Sequence, residues 1–224
     1  MLILGIDTSG KNGSIALVEC EPSSSRTLDL VPLEGGTFSA QLVPQMAALL
    51  QKYGRTKYDV DVLAVVSGPG SFTGLRVGLA AIKVLAEILQ KPIVAVSFLE
   101  SIAVASGFHG QVTAALDAGR GEIYAGTYDV RDGGATLVDE QLLTVQELGA
   151  ENPGKLVATP DETLGQQLRI RGNDVRVVPT QKADAIATLA FNKFQRGETV
   201  SPESLDATYI RRSDAEIKFA GQAK

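Results

Sequence analysis

Two aspartates each close a short apolar run and open a turn of glycines and small polar residues. Asp7 stands in Asp7-Thr8-Ser9-Gly10, and Asp117 in Asp117-Ala118-Gly119-Arg120-Gly121. Such a turn can present backbone N–H groups and hydroxyls to a phosphate while the carboxylate holds a metal-bound water. The same residue types also make plain hairpin turns, because Asp, Asn, Ser and Gly accept turn dihedrals. A third stretch, Ser67-Gly68-Pro69-Gly70-Ser71-Phe72-Thr73-Gly74, joins an apolar run to a helical pattern. It lacks the Gly-Lys-Ser/Thr of a Walker loop, and its third glycine falls one place late for a dinucleotide fingerprint. A strand–turn–helix with free N–H groups still suits an anion. The alternative is a tight turn with Thr73 as the helix cap. The candidate cleft residues are Asp7, Thr8, Ser9, Gly68, Gly70 and Asp117.

Other chemistries are excluded by counting. The chain has one histidine, His109, so no mechanism or metal site that needs two is open to it. His109 follows Gly107-Phe108 and reads as a surface or linker residue, with no nucleophile-elbow motif beside it. One cysteine, Cys20, excludes an internal disulfide framework and a thiolate zinc site. With 21 Lys+Arg against 26 Asp+Glu, the formal charge is −5. An acidic chain is a poor solo binder of nucleic acid, because phosphate contacts supply most of that affinity. At 224 residues, 44% apolar and 21% charged, the chain can build one large α/β domain or two lobes, and it is not a disordered polymer. The N-terminus has no basic n-region, and there is no run of about 18 apolar residues to span a membrane. The expectation is a soluble cytoplasmic protein.

The elements that must position these residues follow from hydrophobic periodicity. Strands are expected over 2–6, 14–20 and 27–33, with Pro32 placing the third at an edge or end. Phe38, Leu42, Met46, Leu49, Leu50 and Tyr53 form one helical stripe, with Pro44 inside it. A buried strand over 62–66 precedes the glycine-rich turn, and a helix over 75–89 carries Leu75, Leu79, Ile82 and Leu89. Gly74 and Gly78 lie on it four apart. Each interior glycine costs a helix roughly 1 kcal/mol relative to alanine, so something packs close against that backbone, either within the lobe or from another subunit. A strand over 93–96 leads to Ser97-Phe98-Leu99-Glu100, a capping box opening a third helix.

The order β-β-β-α-β-α-β-α then repeats. Residues 112–116, 122–130 and 136–144 read as strands, Thr144-Val145-Gln146-Glu147 as a second capping box, 155–159 and 175–178 as strands, and 161–170 and 183–196 as helices. Ile6-Asp7, a turn and Ser14-Ile15-Ala16-Leu17 correspond to Leu116-Asp117, a turn and Glu122-Ile123-Tyr124-Ala125. The repeat predicts a duplicated fold with a cleft between its lobes and both hairpin turns facing it.

Four segments together resemble the TsaB (YeaZ) family: Ile3-Leu4-Gly5-Ile6-Asp7-Thr8-Ser9, the run from Ser67 through Gly74 to Leu75-Arg76, Leu116-Asp117-Ala118-Gly119-Arg120-Gly121-Glu122-Ile123-Tyr124, and Tyr209-Ile210-Arg211. The resemblance implies an α/β, duplicated actin-like and sugar-kinase-like (ASKHA) fold of two lobes, each a mixed sheet flanked by helices. The lobes are expected over 1–108 and 109–200, with a tail over 201–224 packing back on the first. It implies a non-catalytic scaffold for threonylcarbamoyl transfer to the adenosine beside the anticodon in tRNAs reading codons that begin with A. The implied partners are the catalytic paralogue TsaD and the ATPase TsaE, with a homodimer when free, tRNA reached only through the complex, and no membrane. Pairing through helices over 38–53 and 73–89 makes Leu42, Met46, Leu75, Gly78, Leu79 and Ile82 the expected interface. No metal site and no required cofactor are implied; a nucleotide at a complex interface is compatible.

The chain departs from its relatives in ways that bear on chemistry. The catalytic paralogues carry a His-x-x-x-His metal helix, which one histidine cannot supply. Phe38 stands where the family usually has a histidine ahead of the first helix. Gly119-Arg120-Gly121 differs in spacing from the usual Asp-Ala-Arg. Arg171-Gly172-Asn173-Asp174 offers one glycine where ASKHA kinases hold adenosine with two. The rival readings are a small ASKHA-type phosphotransferase or ATPase using Asp7 and Asp117, and a peptidase, which needs a nucleophile–base pair or a metal.

Overall fold

The computed structural model describes residues 1–151 and 154–210. Arg211 and Arg212, and the rest of the expected tail beyond residue 210, lie outside the described residues. The first half runs β1 (Leu2–Asp7), β2 (Gly13–Glu21), β3 (Ser24–Leu33), α1 (Phe38–Lys52), β4 (Val62–Gly68), α2 (Phe72–Leu89), β5 (Ile93–Ser97) and α3 (Phe98–Ala105). The second runs β6 (Gly110–Gly119), β7 (Glu122–Arg131), β8 (Gly134–Thr144), α4 (Val145–Glu151), β9 (Leu156–Thr159), α5 (Glu162–Ile170), β10 (Asp174–Val177) and α6 (Ala183–Gln195).

The strand orders are β3-β2-β1-β4-β5 and β8-β7-β6-β9-β10, the same topology twice. In each sheet the hairpin strands are antiparallel and the strands that enter through helices are parallel, since a parallel return needs a crossover. Each copy also slips register once in its outer hairpin, at Leu17/Val18 and at Thr127/Tyr128. The register shifts the expected correspondence by one residue. Ile15 pairs with Ile6 and Tyr124 with Leu116, so Tyr124 rather than Ile123 takes the place of Ile15. The cause is a second turn one residue shorter, closed by a bulge between Asp117 and Gly119.

The layers run α1/α2, first sheet, α6/α3, second sheet, α4/α5. Here the packing departs from division by chain order at 108/109. Helix α3 lies chiefly on the second sheet, and α6 lies on the first. β1 is buried on both faces because its side chains alternate between two helical layers. Gly5 faces α6, where a Cβ would meet the Ala183 carbonyl oxygen at 2.3 Å, and Ile6 faces α2 beside Gly78. One apolar core spans both faces of the first sheet and the α3 face of the second; a smaller one of Ala115, Ile123, Leu148, Val157, Leu164 and Leu168 lies under α4 and α5.

Local capping differs from expectation at two starts. Ser71, not Thr73, caps α2: its hydroxyl accepts from the Gly74 N–H at 3.3 Å. At α3 the Ser97 hydroxyl caps the Glu100 N–H, but the Glu100 carboxylate turns away to Lys193, so only half the box forms. Thr144 and Glu147 complete theirs at 2.7 and 3.2 Å. Pro44 is accommodated inside α1.

The first N–H of α6 is satisfied from far away in sequence. Lys182 provides no side-chain cap, and the Ala183 N–H donates to Ser14 Oγ at 3.0 Å across the layer interface. Both residues are buried, so removing the hydroxyl leaves a donor without water. Ser14→Ala is expected to cost about 1–3 kcal/mol, read in urea unfolding as a lower midpoint with an unchanged m-value.

Candidate functional site

The β1 strand ends in a packed corner. Asp7 is 5% exposed, and its Oδ1 accepts from the Ser9 N–H at 2.8 Å and the Ser9 hydroxyl at 2.6 Å. Burial pushes its carboxyl above the usual range, and the two Ser9 bonds offset this in part. Thr8 turns its hydroxyl onto the Gly74 carbonyl at 2.7 Å. The glycines flagged in the sequence pack against this corner. A Cβ on Gly70 would meet the Ser9 carbonyl oxygen at 2.4 Å, one on Gly74 the Thr8 carbonyl oxygen at 2.0 Å, and one on Gly78 the Thr8 hydroxyl at 2.4 Å. The Ser71 N–H donates to the Ser9 carbonyl at 2.6 Å. An amide that an anion-binding turn would aim at a phosphate is thus used inside the fold.

Between the lobes lies a cleft of about 1260 Å³. Of the expected cleft residues it is lined by Ser9, Gly70 and Asp117; Asp7, Thr8 and Gly68 are absent from its lining. Asp7 and Thr8 are drawn into the corner. Gly68, at φ +133°, faces the returning chain: a Cβ there would meet the Thr208 carbonyl oxygen at 2.6 Å, and the Thr208 N–H donates to Ser67 O at 2.7 Å. Asp117 is exposed and accepts from the Gly119 N–H at 2.9 Å, the same i to i+2 turn that Asp7 makes with Ser9. The repeat therefore preserves a turn, while burial separates the two aspartates.

Lys11, Arg76 and Arg120 also line the cleft, so its walls carry more positive than negative side chains in a chain of net charge −5. At its mouth, the Arg76 guanidinium lies 3.6 Å from the centre of the Phe72 ring, and its Nε donates to the Tyr209 hydroxyl at 3.0 Å. The Phe72 and Tyr209 rings are 5.1 Å apart. The ring contact and the hydrogen bond hold Tyr209 against the start of α2. The sequence reading missed Lys11, Phe72 and Tyr209 as cleft residues. Arg76 and Tyr209 are 133 residues apart, and no local periodicity links them.

The expected interface residues occupy a different place. Leu42, Met46, Leu75, Leu79 and Ile82 are at most 4% exposed, and Gly78 is buried under Thr8. They are core residues of the protomer, because the strongest apolar stripe of each helix faces its own sheet. The outward face of α1 and α2 carries Val43, Val84 and Ile88, each more than half exposed. His109 is exposed in the turn before β6. Among the described residues, no group of three or more His, Cys, Asp or Glu is placed to hold a metal ion. No described helix is long and apolar enough to cross a membrane.

Two outcomes test the corner. Gly78→Ala overpacks it and is expected to cost about 1–3 kcal/mol, less in a Thr8→Ala background; a double-mutant cycle by chemical unfolding reads the coupling. A carboxyl with a raised folded pKa binds its proton more tightly when folded, so its contribution to stability falls as pH rises through that range. Asp7→Asn is therefore expected to gain stability relative to wild type as pH rises above the ordinary carboxylate range, measured as the difference in Tm across a pH series.

The sequence matches the family model described as TsaD, tRNA N6-adenosine threonylcarbamoyltransferase, over residues 35–218. The protein from Escherichia coli named tRNA threonylcarbamoyladenosine biosynthesis protein TsaB is 29% identical over 237 residues, covering 99% of this chain and 100% of that one. The Bacillus subtilis protein of the same name is 36% identical over 135 residues, 59% of this chain; the match spans 57% of that relative's length. The solved structure of YeaZ from Pseudomonas aeruginosa superposes with a TM-score of 0.72 at 26% identity, over 93% of this chain and 99% of that one. The duplicated sheets, with their ASKHA-type arrangement, and these matches carry one conclusion: the chain belongs to the TsaB (YeaZ) family.

Proposed function

We propose that this chain acts in the biosynthesis of threonylcarbamoyladenosine in tRNA, as a non-catalytic scaffold subunit. Its task is to support threonylcarbamoyl transfer to the adenosine beside the anticodon in tRNAs reading codons that begin with A. The observation that carries the role is the end-to-end match to the Escherichia coli TsaB protein. The scaffold reading is supported by the single histidine, which leaves no His-x-x-x-His pair, and by the turning of Asp7 away from the cleft. The phosphotransferase alternative needs Asp7 and Asp117 around one Mg²⁺-nucleotide. Only Asp117 of that pair lines the cleft.

In this reading the chain works in the cytoplasm with a catalytic TsaD-type paralogue and the ATPase TsaE, and pairs with itself when free. Acidity suits it to protein partners, with RNA contact left to the complex. The surface offered is the outward face of α1 and α2, with Val43, Val84 and Ile88, in place of the buried stripes beneath it. No cofactor of its own is required, and a nucleotide held at a complex interface is compatible.

The test is a reconstitution with catalytic paralogue, ATPase, threonylcarbamoyl-adenylate and tRNA. Modified adenosine is expected to depend strongly on this chain, and the chain alone is expected to form none. Equal product with and without it would overturn the proposal. Ile88→Glu together with Val84→Glu is expected to leave the Tm near wild type while abolishing self-association in light scattering and capture of the paralogue.

A further inference from the structure

The two sheets are joined at the back by helices that each half of the chain lends to the other. This arrangement places a polar network in the central layer. Glu100 on α3 accepts from Lys193 on α6 with both carboxylate oxygens, at 3.1 and 3.2 Å. Their side chains are 5% and 15% exposed. Lys193 also meets Glu198 at 3.0 Å, which in turn pairs with Arg196 at 2.5 Å. Three residues before Glu100, at the start of α3, Ser97 ties the helix to the second sheet: its hydroxyl lies 3.0 Å from the Tyr128 hydroxyl and donates to Glu140 at 3.1 Å, while Tyr128 donates to Glu140. Two further links bind the same wall. Asn192 Nδ2 on α6 donates to the Gly133 carbonyl in the β7–β8 turn at 2.9 Å, and the Arg176 guanidinium on β10 donates to the Ser106 carbonyl at the end of α3. Opposite this wall, between the same sheets, the front is an open cleft.

We propose that the Glu100–Lys193 pair and the Ser97–Tyr128–Glu140 cluster form a latch that sets the angle between the sheets, and with it the width of the cleft. A buried ion pair adds little net stability over an apolar substitute of like volume, but it demands one geometry. Sliding α3 against α6 would strip Lys193 from Glu100 and leave the buried Glu100 carboxylate without its partner. Rotating the second sheet would break the Ser97 contacts at the same time. The latch therefore acts on hinge closure, the motion by which two-lobed proteins change a cleft, and holds this chain at one opening.

The experiment measures cleft width directly by spin-label distances. Glu34→Cys follows β3, and Gln146→Cys lies at the start of α4; both native residues are exposed, and they sit on different lobes near the turns that face the cleft. Cys20 is 1% exposed and does not compete for label. In the otherwise native full-length chain a single narrow distance distribution is expected. In Glu100→Gln/Lys193→Met a second, distinct population is expected. Ser97→Ala/Tyr128→Phe removes only hydroxyls, and the same change is expected there; it decides the matter if the first pair fails to fold. A distribution already broad in the native background would overturn the proposal. So would one that stays single and narrow in a folded latch variant, even if that variant's Tm falls, because the network would then contribute stability without setting the cleft.

Discussion

The end of β1 rests on bare helix backbone, and the arrangement of the first lobe depends on that contact. Thr8 and Ser9 come so close to the Gly70–Gly78 stretch that no side chain fits between them. The contact is made specific by the Thr8 hydroxyl on the Gly74 carbonyl and by the Ser71 N–H on the Ser9 carbonyl. Glycine in a helix weakens it intrinsically, and here that cost is offset by close approach of two backbones. The consequence is chemical as well as structural. A turn whose residue types suit a phosphate has its groups engaged by its own protein, with the Asp7 carboxylate buried behind it.

Duplication explains the overall plan, but not its assembly. Each copy makes the same five-stranded sheet, down to a register slip in the outer hairpin. A sheet buried on both faces needs helices on both sides. Each copy covers its outer face with its own helices, α1 and α2 in one case and α4 and α5 in the other, while the inner faces share the layer of α3 and α6. The extensive apolar core accordingly crosses from one lobe to the other.

The cleft left in front of that layer differs in character from the rest of the molecule. Lys11, Arg76 and Arg120 gather on its walls although acidic residues outnumber basic ones in the chain. Its mouth is built by Tyr209, which stacks on Phe72 and accepts from Arg76 at the start of α2, and by Thr208, whose N–H donates to Ser67 on β4. The outward faces of α1 and α2 supply apolar surface at Val43, Val84 and Ile88.

Local pattern was sufficient for much of this protein. Element types and their order followed from periodicity, because apolar side chains recur every two residues on a strand and every three or four on a helix. The repeat of Asp7 at Asp117 announced the duplication, and the paired glycines of α2 announced a close contact. Counting alone removed two-histidine, disulfide and thiolate-metal chemistry. What periodicity could not supply was direction between elements. It marked Leu42, Met46, Leu75, Leu79 and Ile82 as one-sided without saying whether the sheet or a partner lay on that side. It showed that Gly78 was crowded without naming Thr8 as the neighbour. Glu100 read as a capping residue until α6 brought Lys193 within reach, 93 residues later, and Asp7 and Asp117 looked alike until packing buried one and left the other in water. Those outcomes belong to the tertiary structure, because burial and charge pairing depend on which distant segments meet, and hydrophobic periodicity carries only the side of an element that must leave water.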